Sequence, residues 1–180
     1  MTLDWKHSVQ NDWTLMLDRD GVINRRIIDG YVTSWAEFEF LPGALDALRV
    51  LSQHFRYIFV ITNQQGVGKR LMTMEQLDGI HDQMCEVIEE HGGHIDGIFV
   101  CPQLDSDPDN YRKPNPRMAY MAQEIAPDLD LNKCIMVGDS KSDIEFGHNA
   151  GMYTVFIGNK CQEADDNYES LLLFSQVFSS

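Results

Sequence analysis

Short apolar runs alternate with stretches of helical periodicity along this chain, and that alternation limits its fold more than any other feature. The runs lie at about 13–18, 57–62, 96–101, 134–138 and Tyr153–Ile157. Each reads as a buried strand. Between them, a helix at about 44–53 sets Leu45, Leu48 and Leu51 on one side. A longer one at about 74–91 carries Met74, Leu77, Ile80, Met84, Val87 and Ile88 at helical spacing. Thr73 can cap its start, and Gly92-Gly93 ends it. A third helix follows Pro116 and ends near Pro127, a fourth fills about 141–150, and the tail from Tyr168 to Phe178 reads as a short docked helix. Strands alternating with helices predict an α/β fold, a central parallel sheet with right-handed crossovers. At 180 residues and without an internal repeat, the chain suits one domain.

Charge and cysteine usage narrow the function. The formal net charge is −14, which argues against a nucleic-acid partner, since a polyanion usually meets a basic face. Small anions remain compatible, because a local cation dominates the field inside a cleft. No apolar run approaches the ~20 residues of a membrane helix, so no membrane partner is expected. The segment from Met1 to Asp12 is polar and lacks the apolar centre of a signal peptide. Cys85, Cys101, Cys134 and Cys161 have no paired spacing and read as reduced thiols. A cytoplasmic protein, monomeric or a small homo-oligomer, is the expectation.

The chemistry concentrates at strand ends. The first run is followed by Asp18-Arg19-Asp20-Gly21-Val22-Ile23-Asn24. A strand tip aims Asp18 into a crevice, and a turn at Gly21 brings Asp20 back over the same space. Two carboxylates sharing a site repel unless a cation or proton lies between them, and oxygen ligands suit Mg²⁺. The second strand ends in Thr62-Asn63-Gln64-Gln65-Gly66, a loop carries Tyr111-Arg112-Lys113-Pro114-Asn115-Pro116, and a later strand ends in Gly138-Asp139-Ser140-Lys141-Ser142-Asp143. All these lie where an α/β sheet gathers ligands, outside the carboxyl ends of its strands. By contrast, Gly66-Val67-Gly68-Lys69-Arg70 lacks the GxxxxGK[ST] spacing of a nucleotide loop. The six histidines are scattered, and none is assigned to a metal.

These four segments, in this order from about Trp13 to Phe156, resemble the haloacid dehalogenase superfamily of phosphohydrolases. DRDGVIN, TNQQGVGK, RKPNP and VGDSKSD look like the branch that holds heptose bisphosphate and histidinol-phosphate phosphatases, and Phe38-Glu39-Phe40-Leu41-Pro42-Gly43-Ala44 suits it as well. The resemblance implies a Rossmann-like three-layer sandwich and a phosphatase acting on a small phosphorylated metabolite, a sugar phosphate or bisphosphate or else histidinol phosphate. It implies Asp18 as nucleophile, forming an aspartyl-phosphate. Asp20 is the general acid and base, a role that asks for a raised pKa, which burial and like charges would supply. Asp18, Asp139 and the Asp20 backbone carbonyl hold Mg²⁺. Thr62 and nearby loop amides take phosphate oxygens, and Lys113 neutralises developing charge. Asp143 is open between a helix first-turn role and a place near the metal.

Two departures from that branch stand out. Many members carry a zinc loop, CxH then CxC, just before RKP; here the first half reads Cys101-Pro102-Gln103, and no cysteine lies between 102 and 133. One cysteine cannot build a four-ligand site, so no zinc is expected. The segment Arg25 to Tyr31 is about two residues longer than in the heptose enzymes. With both usual places for a cap domain filled by core elements, no cap is expected, and selection of the substrate body falls to Arg26 and Tyr31, with Asn24, Asn63, Gln64 and Arg112 as further binding candidates. Two other classes remain open: a phospho-aspartate receiver, against which the in-place acid Asp20 argues, and a non-catalytic binding module, against which the intact acidic set argues.

Overall fold

In a computed structural model, which describes residue 9 and residues 11–179, six parallel strands form a single sheet in the order β3-β2-β1-β4-β5-β6. They are β1 (Thr14–Leu17), β2 (Tyr57–Asn63), β3 (Gly97–Cys101), β4 (Cys134–Gly138), β5 (Tyr153–Ile157) and β6 (Asp166–Tyr168). The polar stretch read as lacking a signal peptide lies largely outside the described residues. Six α-helices connect or follow the strands: α1 (Ala44–Leu51), α2 (Gln65–Gly68), α3 (Met74–Glu90), α4 (Arg117–Ile125), α5 (Lys141–Asn149) and α6 (Leu171–Ser175). This is the expected three-layer sandwich.

Alternation along the strands feeds two separate cores. Leu15 and Leu17 of β1, with Ile58, Val60, Ile135, Val137 and Val155, pack on Leu48, Leu51, Met84, Ile88 and Phe174 from α1, α3 and α6. Met16, Phe59, Ile61 and Met136 face the other way, onto Met118, Ala122 and Phe146 of α4 and α5. Burying each large apolar side chain contributes ~1.5–3 kcal/mol. Two such layers make the sheet stiff enough to carry charge at its edge. Register is set by β1, which pairs Leu17 with Val60 on one side and with Val137 on the other. The crevice at the carboxyl end of β1 therefore receives loops from both halves of the chain.

Three elements depart from the sequence reading. Residues 65–68 form a helical turn and not a loop, although Gly66 and Gly68 disfavour one. The glycines are there for contact: a Cβ on Gly68 would lie 2.7 Å from the Pro102 carbonyl. At the sheet edge, Asp166–Tyr168 adds a sixth strand by backbone pairing of Val155 with Asp166. Its polar sequence carries no strand periodicity, so pairing decides what side chains do not. The tail expected as one helix splits into α6 and a 3₁₀ turn, Gln176–Phe178. Between β1 and β2 lie a loop, a short 3₁₀ turn and α1; between β2 and β3 lie α2 and α3. No helix among the described residues is long and apolar enough to cross a membrane.

Candidate active site

The turn after β1 is built around one carbonyl. The Arg19 oxygen accepts the N–H groups of Val22, Ile23 and Asn24, at 3.3, 2.8 and 3.2 Å. Gly21 closes the turn with φ of 90°, a region that favours glycine. It also makes room: a Cβ there would sit 1.9 Å from Asp139 Oδ2. Asp18, whose N–H donates to the Val137 carbonyl at 2.9 Å, is thus locked to β4 just before Asp139. The sheet brings together two carboxylates that lie far apart in sequence.

Lys113 occupies the centre. Its Nζ lies 2.8 Å from Asp18 Oδ1, 2.6 Å from Asp143 Oδ1 and 2.8 Å from the Ile61 carbonyl. All three side chains are buried. Burial alone would lower the lysine pKa; Asp143 and Asp18 outweigh it and raise it, so the ammonium stays charged. Asn63 places the backbone of this loop by accepting from Lys113 N–H at 3.0 Å. Asp143 takes the helix first-turn role and also faces the buried lysine. Its Oδ2 accepts from Ser140 Oγ at 2.7 Å in a capping box at the start of α5, while Oδ1 faces Lys113.

Asp18, Asp139 and Asp143 each offer an oxygen within 4.8 Å of the others, the one such cluster of metal-capable side chains among the described residues. Lys113 does not neutralise all three. Burial, then Asp143, push Asp18 well above the usual carboxylate range. Burial, with Asp143 adding, raises Asp139 to about 6 in spite of the Arg26 guanidinium. An all-oxygen set with surplus negative charge fits a hard divalent cation such as Mg²⁺.

Asp20 behaves differently from expectation. Its Oδ1 accepts from Arg19 Nη2 and from Asn24 Nδ2, both at 3.0 Å, and its Oδ2 accepts from Gln64 Nε2 at 2.8 Å. Burial raises its pKa, but the Arg19 charge and the three hydrogen bonds outweigh that and leave it lowered. The expected upward shift is therefore corrected. Donors crowd Asp20, while like charges crowd Asp18 and Asp139.

The cleft above these groups has a volume of about 590 Å³ and is lined by Asp18, Asp20, Arg26, Tyr31, Asn63, Gln64, Lys69, Arg112 and Lys113, among others. Arg26 Nη2 donates to Asp139 Oδ1 at 2.9 Å. Tyr31 accepts from Gln65 at 3.2 Å, and Lys69 Nζ lies 5.3 Å from the centre of its ring. Arg112 lies 3.6 Å from Asp105, and its Nη1 is buried without a hydrogen-bond partner. Two expected ligand residues sit back from this lining. Thr62 is buried, its Oγ1 accepting from Gln64 at 2.8 Å, and Asn24 is buried and spends its amide on Asp20. Arg19 and His81, which sequence reasoning assigned no role, stand behind Asp20: Arg19 Nη1 is 3.0 Å from His81 Nε2. A single histidine on an amphipathic helix, 62 residues from its partner, gives no local signal.

Polar cross-links hold the segment from Cys101 to Arg112. The Gln103 side-chain oxygen accepts from the Cys101 thiol at 3.7 Å and from Tyr111 N–H at 3.1 Å. Asn110 Nδ2 donates to the Asp107 and Asp105 carbonyls, and Tyr111 Oη donates to the Val100 carbonyl at 3.1 Å. All four cysteines are free.

A parallel α/β sheet with a carboxylate turn after its central strand, a buried lysine and a second acidic loop defines a phosphohydrolase of the haloacid dehalogenase-like class. A HAD-hydrolase-like family model matches residues 110–170. A D-glycero-α-D-manno-heptose-1,7-bisphosphate 7-phosphatase of Mycobacterium bovis is 44% identical over 139 residues, 77% of this chain and 73% of its own. The D-glycero-β-D-manno-heptose-1,7-bisphosphate 7-phosphatase of Neisseria meningitidis is 32% identical, over 90% of this chain and 92% of its own. A crystal structure of D,D-heptose 1,7-bisphosphate phosphatase from B. bronchiseptica, complexed with magnesium and phosphate, superposes with a TM-score of 0.82 at 31% identity, covering 91% of this chain and 96% of that one. The chain belongs to the heptose-1,7-bisphosphate 7-phosphatase family of HAD-like hydrolases, and it is a phosphatase.

Proposed function

We propose that this chain hydrolyses the 7-phosphate of D-glycero-D-manno-heptose 1,7-bisphosphate, through an aspartyl-phosphate and with Mg²⁺. The observation that carries the bisphosphate reading is the positive rim of an acidic protein's cleft. Arg26, Lys69 and Arg112 line it, and Arg112 holds a buried, unpartnered N–H. A second phosphate satisfies that donor and those charges. The ammonium of histidinol phosphate would be repelled by them. The relative at 44% identity is named for the α anomer, and we extend that anomer to this chain.

Asp18 attacks phosphorus; the Asp18–phosphorus bond forms as the bond to the sugar oxygen breaks. Asp20 gives a proton to that leaving oxygen, then takes one from the water that splits the aspartyl-phosphate. Its lowered pKa suits the second step, and an arriving phosphate raises its proton affinity for the first by like-charge repulsion. Lys113 holds Asp18 in line and offsets charge on the phosphate. Asp18, Asp139 and the Asp20 carbonyl would hold Mg²⁺, which when bound supplies Lewis-acid neutralisation of phosphate oxygens. Asn63 and Gln64 edge the phosphate with Thr62 behind them, its hydroxyl holding the Gln64 amide, and the segment from Arg25 to Tyr31 reads the substrate body. The Gln103–Asn110 cross-links do the work of a zinc site, so the purified protein should contain no stoichiometric zinc by metal analysis.

Phosphate release from both anomers of heptose 1,7-bisphosphate, from sugar monophosphates and from histidinol phosphate, with and without Mg²⁺, tests the reading. Mg²⁺-dependent turnover of the α bisphosphate above all others, with the remaining phosphate on C1 by ³¹P NMR, is expected. Preference for histidinol phosphate or a monophosphate would overturn it.

A further inference from the structure

Arg19 lies between the two aspartates of the reaction, yet no step described above uses it. It is fully buried, on the sheet face that Leu15 and Leu17 share and α3 covers. Burying a guanidinium is costly unless its charge and donors are matched. Its charge partner is Asp20, 3.0 Å from Nη2. The Phe38 ring centre lies 5.9 Å from its Cζ. Nη1 meets His81 Nε2 at 3.0 Å. Arginine has no acceptor, so Nε2 must accept, and the imidazole is neutral with its proton on Nδ1. Burial, then the Arg19 charge, hold the His81 pKa at about 3, so that neutral form is the one present.

The choice of a neutral partner has a chemical meaning. An aspartate or glutamate in that place would bind Arg19 more strongly, but it would also compete with Asp20 for the guanidinium charge. A neutral acceptor anchors the guanidinium and leaves its charge to Asp20. We infer that His81 is a positioning residue: through Arg19 it aims the Asp20 carboxyl at the leaving oxygen and the attacking water. Helix α3, which contributes no group to the cleft lining, thereby reaches the chemistry from behind. Gln64 and Asn24 fix the same carboxylate from the other directions, so the brace has three arms, and His81 is the anchor of the one that carries charge. The inference rests on Asp20 being the acid and base.

Leaving-group dependence separates aiming from mere folding. An alkyl phosphate needs a proton on its leaving oxygen, whereas p-nitrophenol leaves well without one. We would compare kcat/KM, which reports the first chemical step, for heptose 1,7-bisphosphate and p-nitrophenyl phosphate in the wild type, Asp20→Asn, His81→Leu and His81→Gln. Asp20→Asn and His81→Leu should each lose about 10- to 100-fold more on the alkyl ester than on the aryl ester, inside the span of general acid–base catalysis. His81→Gln, whose side-chain oxygen can accept, should return close to wild type. If Asp20→Asn shows the selective loss and His81→Leu falls equally on both esters, or not at all, the inference is wrong. If Asp20→Asn itself shows no selectivity, the acid/base assignment fails and takes the inference with it. Should His81→Leu not fold, ¹⁵N NMR of the wild type decides: a His81 side chain protonated at Nε2 at pH 7 would overturn the proposal, and the Nδ1–H tautomer would sustain it.

Discussion

At the residue scale the site is a balance among one lysine and three aspartates. Asp18→Asn should abolish turnover and any acid-labile phosphate adduct while leaving the fold intact, because Lys113 keeps Asp143; turnover near wild type would remove Asp18 as nucleophile. Lys113→Ala should do more than slow the reaction. It leaves Asp18 and Asp143 buried and uncompensated, so a loss of ~3–5 kcal/mol in urea unfolding is expected alongside the loss of kcat. Stability unchanged beside a lower rate would mean the ion pairs do not hold the frame. Asp139 gives a pH signature. Its folded pKa of about 6 exceeds the ordinary 3.8, so burial of the ionised form penalises the folded state above pH 6, and the penalty fades as pH falls toward 4. A divalent cation relieves that penalty only where the carboxyl is ionised. The rise in Tm on adding Mg²⁺ to chelator-treated protein should therefore be larger at pH 7 than at pH 5; equal rises would contradict the assignment of Asp139 to the metal. Asp18, Lys113 and Asp139 were legible from sequence because Asp18 and Asp139 follow strands and Lys113 lies in a loop just before a proline-started helix. Arg19 and His81 were not, since their meaning lies in a contact across 62 residues and not in local pattern.

At the scale of elements, the loop between β3 and α4 is held by polar cross-links. Gln103 joins the Cys101 thiol, Tyr111 N–H and the Asp109 carbonyl. Gln103→Ala should cost about 1–2 kcal/mol by loss of these hydrogen bonds and should speed amide exchange from 103 to 112, leaving exchange in β1 unchanged. Protection that stays the same would show that other contacts hold the loop. Its anchoring matters because Arg112 and Lys113 follow directly. That this loop lacks the CxH and CxC spacing was readable from the sequence, but the contacts that hold it were not, because glutamine and asparagine cross-links have no sequence signature. The same limit explains α2 and β6, where backbone pairing and close approach outweigh side-chain propensity.

For the molecule as a whole, the strand and helix alternation gave the sheet, while its order depended on which strand the motifs end. Phe174 of α6 is fully buried in the core shared with α1 and α3, far along the chain from the chemistry. Phe174→Ala should lower stability by ~3–5 kcal/mol while kcat stays at the wild-type value for protein that remains folded; a fall in kcat would tie the tail to the cleft. The central place of β1 has one more consequence, which concerns the order of synthesis. A chain leaving the ribosome displays β1, β2 and β3 first, and these can zip together as neighbours. At that stage Asp18 and Asp20 are already present, but Lys113, Asp139 and Asp143 have not been made. The neighbour that fixes Asp18 N–H, Val137, is also still to come. Half a sheet therefore exposes an unpaired edge along β1 until β4 arrives, and the phosphatase becomes competent only when its last third closes that edge.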